Sequence, residues 1–231
     1  MDVPEDPADF VRAMEATLAF EALAQTVEDS RRSELYALKH AGRDSSGSER
    51  SVEEHLRGLE MVGRIGPVSE ADLPRVVQLL GKTNQFNLTT RRHGGPQVRA
   101  LMSNPRAIAL TLRLRDRFGD HGLVALLLAA PASDDEHTLV VDTFLMSCRV
   151  IGRTAEHLLV DHLMEEARRH GYGTVRGEYL RTARNGLVHG FWQSMGFSRK
   201  TGAERSSDND ESFELDLAHA LHPLSFVRVE R

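Results

Sequence analysis

The pattern of apolar and polar residues divides the chain into a helical start and a longer run of alternating strands and helices. Residues 1–40 read as helices. Pro7 suits a first helical turn, and Phe10, Met14, Leu18 and Leu23 form an apolar stripe. A second helix over about Arg31 to His40 carries Leu35 and Leu38. The Gly/Ser-rich stretch Ala41 to Arg50 reads as a flexible link, and Val52 to Leu59 as a short helix. From Val62 the pattern changes. Val62 to Val68 reads as a strand and Ser69 with Asp72 as a variant capping box. Leu73, Val76, Val77 and Leu80 then form the core face of a helix. Lys82 to Arg92 breaks this period. Gly95 to Ser103 reads as a short helix, and Arg106 to Leu114 and Gly122 to Ala130 as strands.

The stretch Val140 to Phe197 organises the rest. A β-rich run, Thr138 to Met146, leads through Cys148 and Gly152 into a helix that ends near Gly171 and Gly173. Its spacing places Ala155, Leu158, Leu159, Leu163 and Ala167, with His162 and Glu166, on one face. Val175 to Leu180 alternates as a strand, and Ala183 to Met195 is expected as a second helix. Strand, glycine turn, helix and strand form a βαβ unit with parallel pairing. The turn sets free backbone N–H groups and a helix N-terminus at a strand end, a geometry that binds anions. Arg149 and Arg153 add positive charge there, although solvated arginines at a helix start account for the pattern equally well. Strands Phe197 to Lys200 and Glu211 to Leu217 follow, and Leu221 to Arg231 is a tail with a last edge strand.

Composition narrows the class. The chain has 231 residues, enough for one domain with an appendage or two small ones. With 40% hydrophobic and 27% charged residues it reads as a globular protein with a core of its own. A net charge of −5 argues against nucleic-acid binding as a main role. One cysteine excludes an internal disulfide and suits a reducing, cytoplasmic setting. No run is long enough to span a membrane, and no signal-peptide pattern is present. No His/Cys/Asp spacing matches a metal site; His157 and His162 read as structural.

Two resemblances sharpen the chemistry. Arg149-x-x-Gly152-x-Thr154 resembles the Arg/Gln-x-x-Gly-x-Gly/Ala loop of the GNAT acyltransferase superfamily, which grips the pyrophosphate of acyl-CoA. Asn185 with Gly196-Phe197 resembles that superfamily's Asn…Tyr…Gly-Phe tail. Thr154 stands where the loop has a small residue, and Trp192 where the tail has its tyrosine, so the hydroxyl that reprotonates a CoA thiolate is missing. Four blocks, Lys82 to Arg92, Asp116 to Gly122, Ser147 to Arg153 and Gly177 to Tyr179, resemble the FkbH-like family of polyketide pathways in the same order. Those proteins join a HAD-type phosphatase domain to a GNAT-like domain. They load a glyceryl unit from bisphosphoglycerate onto an acyl carrier protein, at the start of methoxymalonyl-type extender units.

The resemblance implies a GNAT-like α/β fold with a mixed central sheet over residues 61–231. Residues 1–60 resemble the tail of the phosphatase domain plus a linker. No Asp-x-Asp-x-Thr/Val strand end occurs in the chain, so it is not expected to act as a HAD phosphatase. It implies Cys148 as acyl-carrying nucleophile, since a thiolate forms thioesters and a helix N-terminus with arginines activates it. His121 is a candidate base, and Glu178 a candidate base or ligand anchor. Lys82, Asn84, Gln85, Asn87, Thr89 and Arg91 are expected to contact a phosphate or hydroxylated acyl group. Arg149, Gly152, Arg153 and Asn185 are expected to hold the pantetheine arm. That arm would lie between the strands before and after the main helix, with N–H groups of Thr143 to Met146 facing the oxyanion. The expected co-substrate is the carrier's phosphopantetheine, or CoA, with no cofactor resident in the chain. The expected partners are a carrier protein, met by Arg91, Arg92, Arg149 and Arg153, and a separate phosphatase domain. Two other readings stand beside this one: N-acetyl transfer from acetyl-CoA, and a non-catalytic carrier-docking module.

Overall fold

The computed structural model describes residues 52–200 and 210–230; the helices expected within 1–40 and the link at 41–50 lie outside them. Helix α1 (Val52–Gly58) buries Leu56 and leads into β1 (Val62–Pro67). The Asp72 carboxylate accepts hydrogen bonds from the Ser69 backbone N–H (3.1 Å) and hydroxyl (2.7 Å), and closes the turn that opens α2 (Leu73–Lys82). Leu73, Val76, Leu79 and Leu80 are the buried face of α2; Val77, expected among them, is exposed. Helix α3 spans Gly95–Ser103. Strands β2 (Ile108–Asp116), β3 (Gly119–Pro131) and β4 (Thr138–Met146) follow as an antiparallel meander.

Helix α4 (Ala155–Arg169) crosses from β4 to β5 (Thr174–Leu180), and these two strands pair in parallel. The expected βαβ unit is therefore present. The single helix expected over Ala183 to Met195 is instead a 3-10 turn, Gly186–Val188, and a short α5 (Phe191–Ser194). Gly186 and Gly190 weaken a continuous helix there. Strands β6 (Ser198–Arg199), β7 (Asp210–Asp216) and β8 (Arg228–Val229) complete an eight-stranded sheet of order β6-β7-β5-β4-β3-β2-β1-β8. The expected edge strand in the tail is β8, parallel to β1.

Alternation along the strands sorts the core into two layers. Leu126, Leu128 and Leu145 pack with Leu73, Val76, Leu80 and Val98 on the α2/α3 face. Leu127, Ala129 and Phe144 join Leu158, Leu159 and Leu163 of α4 on the other. His162 and Glu166, expected on that buried face, are partly exposed, with His162 Nε2 3.7 Å from Glu166 Oε1.

Two irregularities shape the middle of the sheet. The β4–β5 pairing covers Thr138–Val141 against Thr174–Gly177 and then ends, so the strands diverge. On the other edge of β4, Leu128 pairs with Thr143 and Ala129 with Val141, which leaves Asp142 as the extra residue of a β-bulge. No helix among the described residues is long and apolar enough to cross a membrane.

Candidate active site

The polar loop after α2 enters the divergence of β4 and β5. Met146 N–H donates to Phe86 O (2.9 Å), Leu88 N–H to Phe144 O (3.0 Å) and Leu180 N–H to Leu88 O (2.9 Å). Residues Phe86–Leu88 thus form a short internal strand between β4 and β5, and Phe86, Asn87 and Leu88 are buried. Two asparagines fasten it. Asn87 donates to Thr83 O and accepts from Thr90 N–H. Asn185 donates to Asn87 O and Leu180 O, both at 2.9 Å, and accepts from Thr182 N–H. Both are fully buried. A backbone amide left unpaired in this gap would cost free energy, and these contacts remove that cost.

This corrects one expectation. The gap expected to admit a pantetheine arm is filled by the chain itself, and the Met146 N–H expected to face an oxyanion is bonded to Phe86. Trp192 completes the seal from the α4 side. Its indole Nε1 donates to Glu178 O (3.0 Å), and a Cβ on Gly177 would fall 2.3 Å from the indole ring. Trp192 lies flat against a strand glycine, and only glycine permits that approach.

Past the internal strand, the loop brings Arg91 and His93 onto the β4 bulge. Thr89 Oγ1 donates to Asp142 O (2.8 Å). Arg91 NH1 donates to Asp142 Oδ1 (3.1 Å) and to Glu178 Oε2 (2.7 Å). His93 Nε2 meets Asp142 Oδ2 at 2.5 Å, and Thr143 Oγ1 donates to the same oxygen. The side chains are 20–35% exposed, so the cluster faces solvent. Arg91 and Glu178 were expected in the site. His93 and Asp142 were not, although Asp142 is the one charged residue in the run Leu139–Met146. A charge inside an otherwise apolar strand is the signal that finds it.

The glycine turn carries a second cluster. Arg153 NH1 donates to Asp116 Oδ2 (2.5 Å), and His121 Nε2 meets the same oxygen at 2.8 Å. The Asp116 side chain is fully enclosed, His121 nearly so, and Arg153 is 10% exposed. Burial pushes the Asp116 carboxyl up, but the bonds with His121 and Arg153 outweigh it and hold the group down at about 2. Arg149 donates to Ser147 Oγ (3.2 Å) and His121 O (3.3 Å). His121 therefore lies at the expected end of the sheet, with its ring turned onto Asp116 and Arg153.

Cys148 sits in a 3-10 turn, Cys148–Val150, between β4 and Gly152, and is exposed. Four residues of β4 and the turn after it put Cys148 roughly 15–20 Å from Asp142. Cys148 and Glu178 are thus not neighbours. Gly152 (φ 77°) and Thr154 (φ 59°) turn the chain into α4, and the space beside Gly152 is open. Thr154 is occupied by the tail: its hydroxyl accepts Phe226 N–H (2.9 Å), and Ser225 Oγ donates to Thr154 O (2.8 Å). Glu156, in the first turn of α4, is buried, which pushes its carboxyl above the usual range. Lys82 and Gln85 are exposed, and Asn84 accepts from Arg92 (2.5 Å). The four arginines expected to form a basic docking surface all make bonds within the chain.

No protein-family model matches the chain, and no curated protein matches it in sequence. Solved structures do match. A GNAT-family protein from Desulfovibrio desulfuricans superposes with a TM-score of 0.52 at 13% identity, over 68% of this chain and 99% of its own. Ard1 from Thermoplasma volcanium gives 0.50 at 15%, over 67% and 97%. The chain has the GNAT fold. A domain from Methanocaldococcus jannaschii gives 0.50 at 12%, over 68% and 99%. At these identities the likeness speaks to the GNAT architecture alone. Within it, the filled gap and the engaged Arg153 and Thr154 do not fit a CoA held between β4 and β5.

Proposed function

We propose that this GNAT-fold chain is an acyltransferase that carries a glyceryl-type acyl group on Cys148 and passes it to an acyl carrier protein. The observation that supports it is the exposure of the lone cysteine beside the glycine turn. A free cysteine kept only for packing is ordinarily buried. The order of the four FkbH-like blocks supports the glyceryl group as cargo. The filled β4–β5 gap favours a carrier arm that meets the chain at its surface, where Cys148 lies.

The chemistry has two steps. The Cys148 thiolate attacks the carbonyl carbon of a phosphoglyceryl mixed anhydride; the C–S bond forms and the C–O bond to phosphate breaks. The carrier's phosphopantetheine thiolate then attacks the thioester, and Cys148 leaves as thiolate. No resident cofactor takes part. A separate HAD-type domain is the proposed source of the activated donor.

A second reading, N-acetyl transfer from acetyl-CoA, draws support from Asp142 and Glu178, carboxylates able to take a proton from an amine. Intact mass separates the two. After incubation with bisphosphoglycerate and an FkbH-like phosphatase domain, wild-type chain is expected to gain one glyceryl unit and Cys148→Ala none. An adduct on both proteins moves the nucleophile elsewhere. Acetyl-CoA turnover without any glyceryl adduct favours the second reading.

A further inference from the structure

The cluster on the β4 bulge is not used by the Cys148 step, which lies roughly 15–20 Å away, past the end of the strand. Three separate elements build it. The loop after α2 supplies Arg91 and His93, the bulge supplies Asp142, and β5 supplies Glu178. The bulge turns Asp142 out of an apolar strand, and the buried Asn87–Asn185 network fixes the loop above it. The arrangement is therefore rigid beneath and open above.

Its free atoms define what it can hold. Asp142 is already engaged, with Arg91 on one oxygen and His93 and Thr143 on the other. His93 Nδ1 and the second oxygen of Glu178 have no hydrogen-bond partner among the described residues. The guanidinium of Arg91 bonds through NH1 and has further N–H groups beside them. Acceptors and donors thus alternate over a small, part-exposed area. Two carboxylates repel a phosphate or carboxylate ligand, and the guanidinium repels an ammonium. A hydroxyl both donates and accepts, so neighbouring hydroxyls complement the pattern, one donating to His93 or Glu178 while accepting from Arg91.

We propose that Arg91, His93, Asp142 and Glu178 form a binding site for an uncharged polyhydroxyl group such as the diol of a glyceryl unit. The inference rests on the glyceryl reading for the class of ligand only; the site is separate from Cys148 and holds a polyhydroxyl group of its own, not the unit carried on the cysteine. Asp142 is a positioning residue that orients His93 and Arg91; His93, Glu178 and Arg91 are the contacts.

Three unreactive probes test it: glyceramide, propionamide without the hydroxyls, and phosphoglycerate as an anion. Binding to the full chain is followed by the His93 ring resonances in NMR. Glyceramide is expected to shift His93, leave the enclosed His121 unchanged, and bind at least about tenfold more tightly than propionamide, the effect of one to two hydrogen bonds. His93→Gln and Glu178→Gln, the second of them isosteric and both at partly exposed positions, are each expected to weaken glyceramide about tenfold. Equal binding of propionamide overturns the site as a polyol site. Tighter binding of phosphoglycerate makes it an anion site instead, and unchanged glyceramide binding in both variants places the ligand elsewhere. Loading of Cys148 without glyceramide binding overturns this inference alone. Glyceramide binding with no adduct on Cys148 overturns the acyl-carrying step alone.

Discussion

Arginine, histidine and aspartate meet twice in this molecule, with opposite consequences. At the glycine turn, Arg153, His121 and Asp116 close on one another inside the protein, with Asp116 fully enclosed. On the β4 bulge, Arg91, His93 and Asp142 meet with a fifth to a third of each side chain exposed, and Glu178 joins them. The residue types are the same; access to water differs. A buried charge whose partner is removed loses stability, whereas an exposed charge is rehydrated. The first cluster therefore holds the fold, and the second is free to hold a ligand.

The largest expected effect is at the closed cluster. Asp116→Asn leaves the Arg153 charge uncompensated inside the protein and is expected to cost about 3–5 kcal/mol in urea unfolding. A loss below about 1 kcal/mol would erase the distinction between the clusters. Acid tests the same group without mutation. The Asp116 carboxyl lies at about 2 when folded, against an ordinary 3.8. Its contribution is thus fully present above the ordinary value and is lost as pH falls through about 2. The gap is worth about 2 kcal/mol. Asp116→Asn should flatten that part of the pH–stability curve. The smallest effect belongs to the open cluster: Arg91→Ala is expected to change stability by less than about 1 kcal/mol while weakening glyceramide. A loss of several kcal/mol would make Arg91 a structural strut rather than a ligand contact.

The comparison also explains the sequence blocks that carry the FkbH-like resemblance. They meet in pairs. Lys82–Arg92 reaches Gly177–Tyr179 through Arg91 and Glu178, and Asp116–Gly122 reaches Ser147–Arg153 through His121, Asp116 and the two arginines. Each block is a short string with charged or polar residues, and its purpose is legible only when its partner is known.

The βαβ unit, the strand meander, α2, α3 and the tail strand were legible from the chain, because each rests on local periodicity and on glycine, proline and capping residues that act within a few positions. The helix over Ala183 to Met195 was not, because two glycines and the buried Asn185 outweigh an apolar spacing that looked helical. The site was legible in part. Arg91 and Glu178 could be named from residue type and resemblance, and Asp142 stood out as a charge in an apolar run. Their meeting could not be read, because 87 residues separate Arg91 from Glu178. What the sequence alone determined is which segments become strands and helices and which side chains bring chemistry. Only the tertiary structure decided that Phe86–Leu88 fills the gap between β4 and β5, that His121 is enclosed while His93 is open, and that Cys148 is exposed. The reason is physical: periodicity acts over a turn or two, whereas burial depends on which distant segments are brought together.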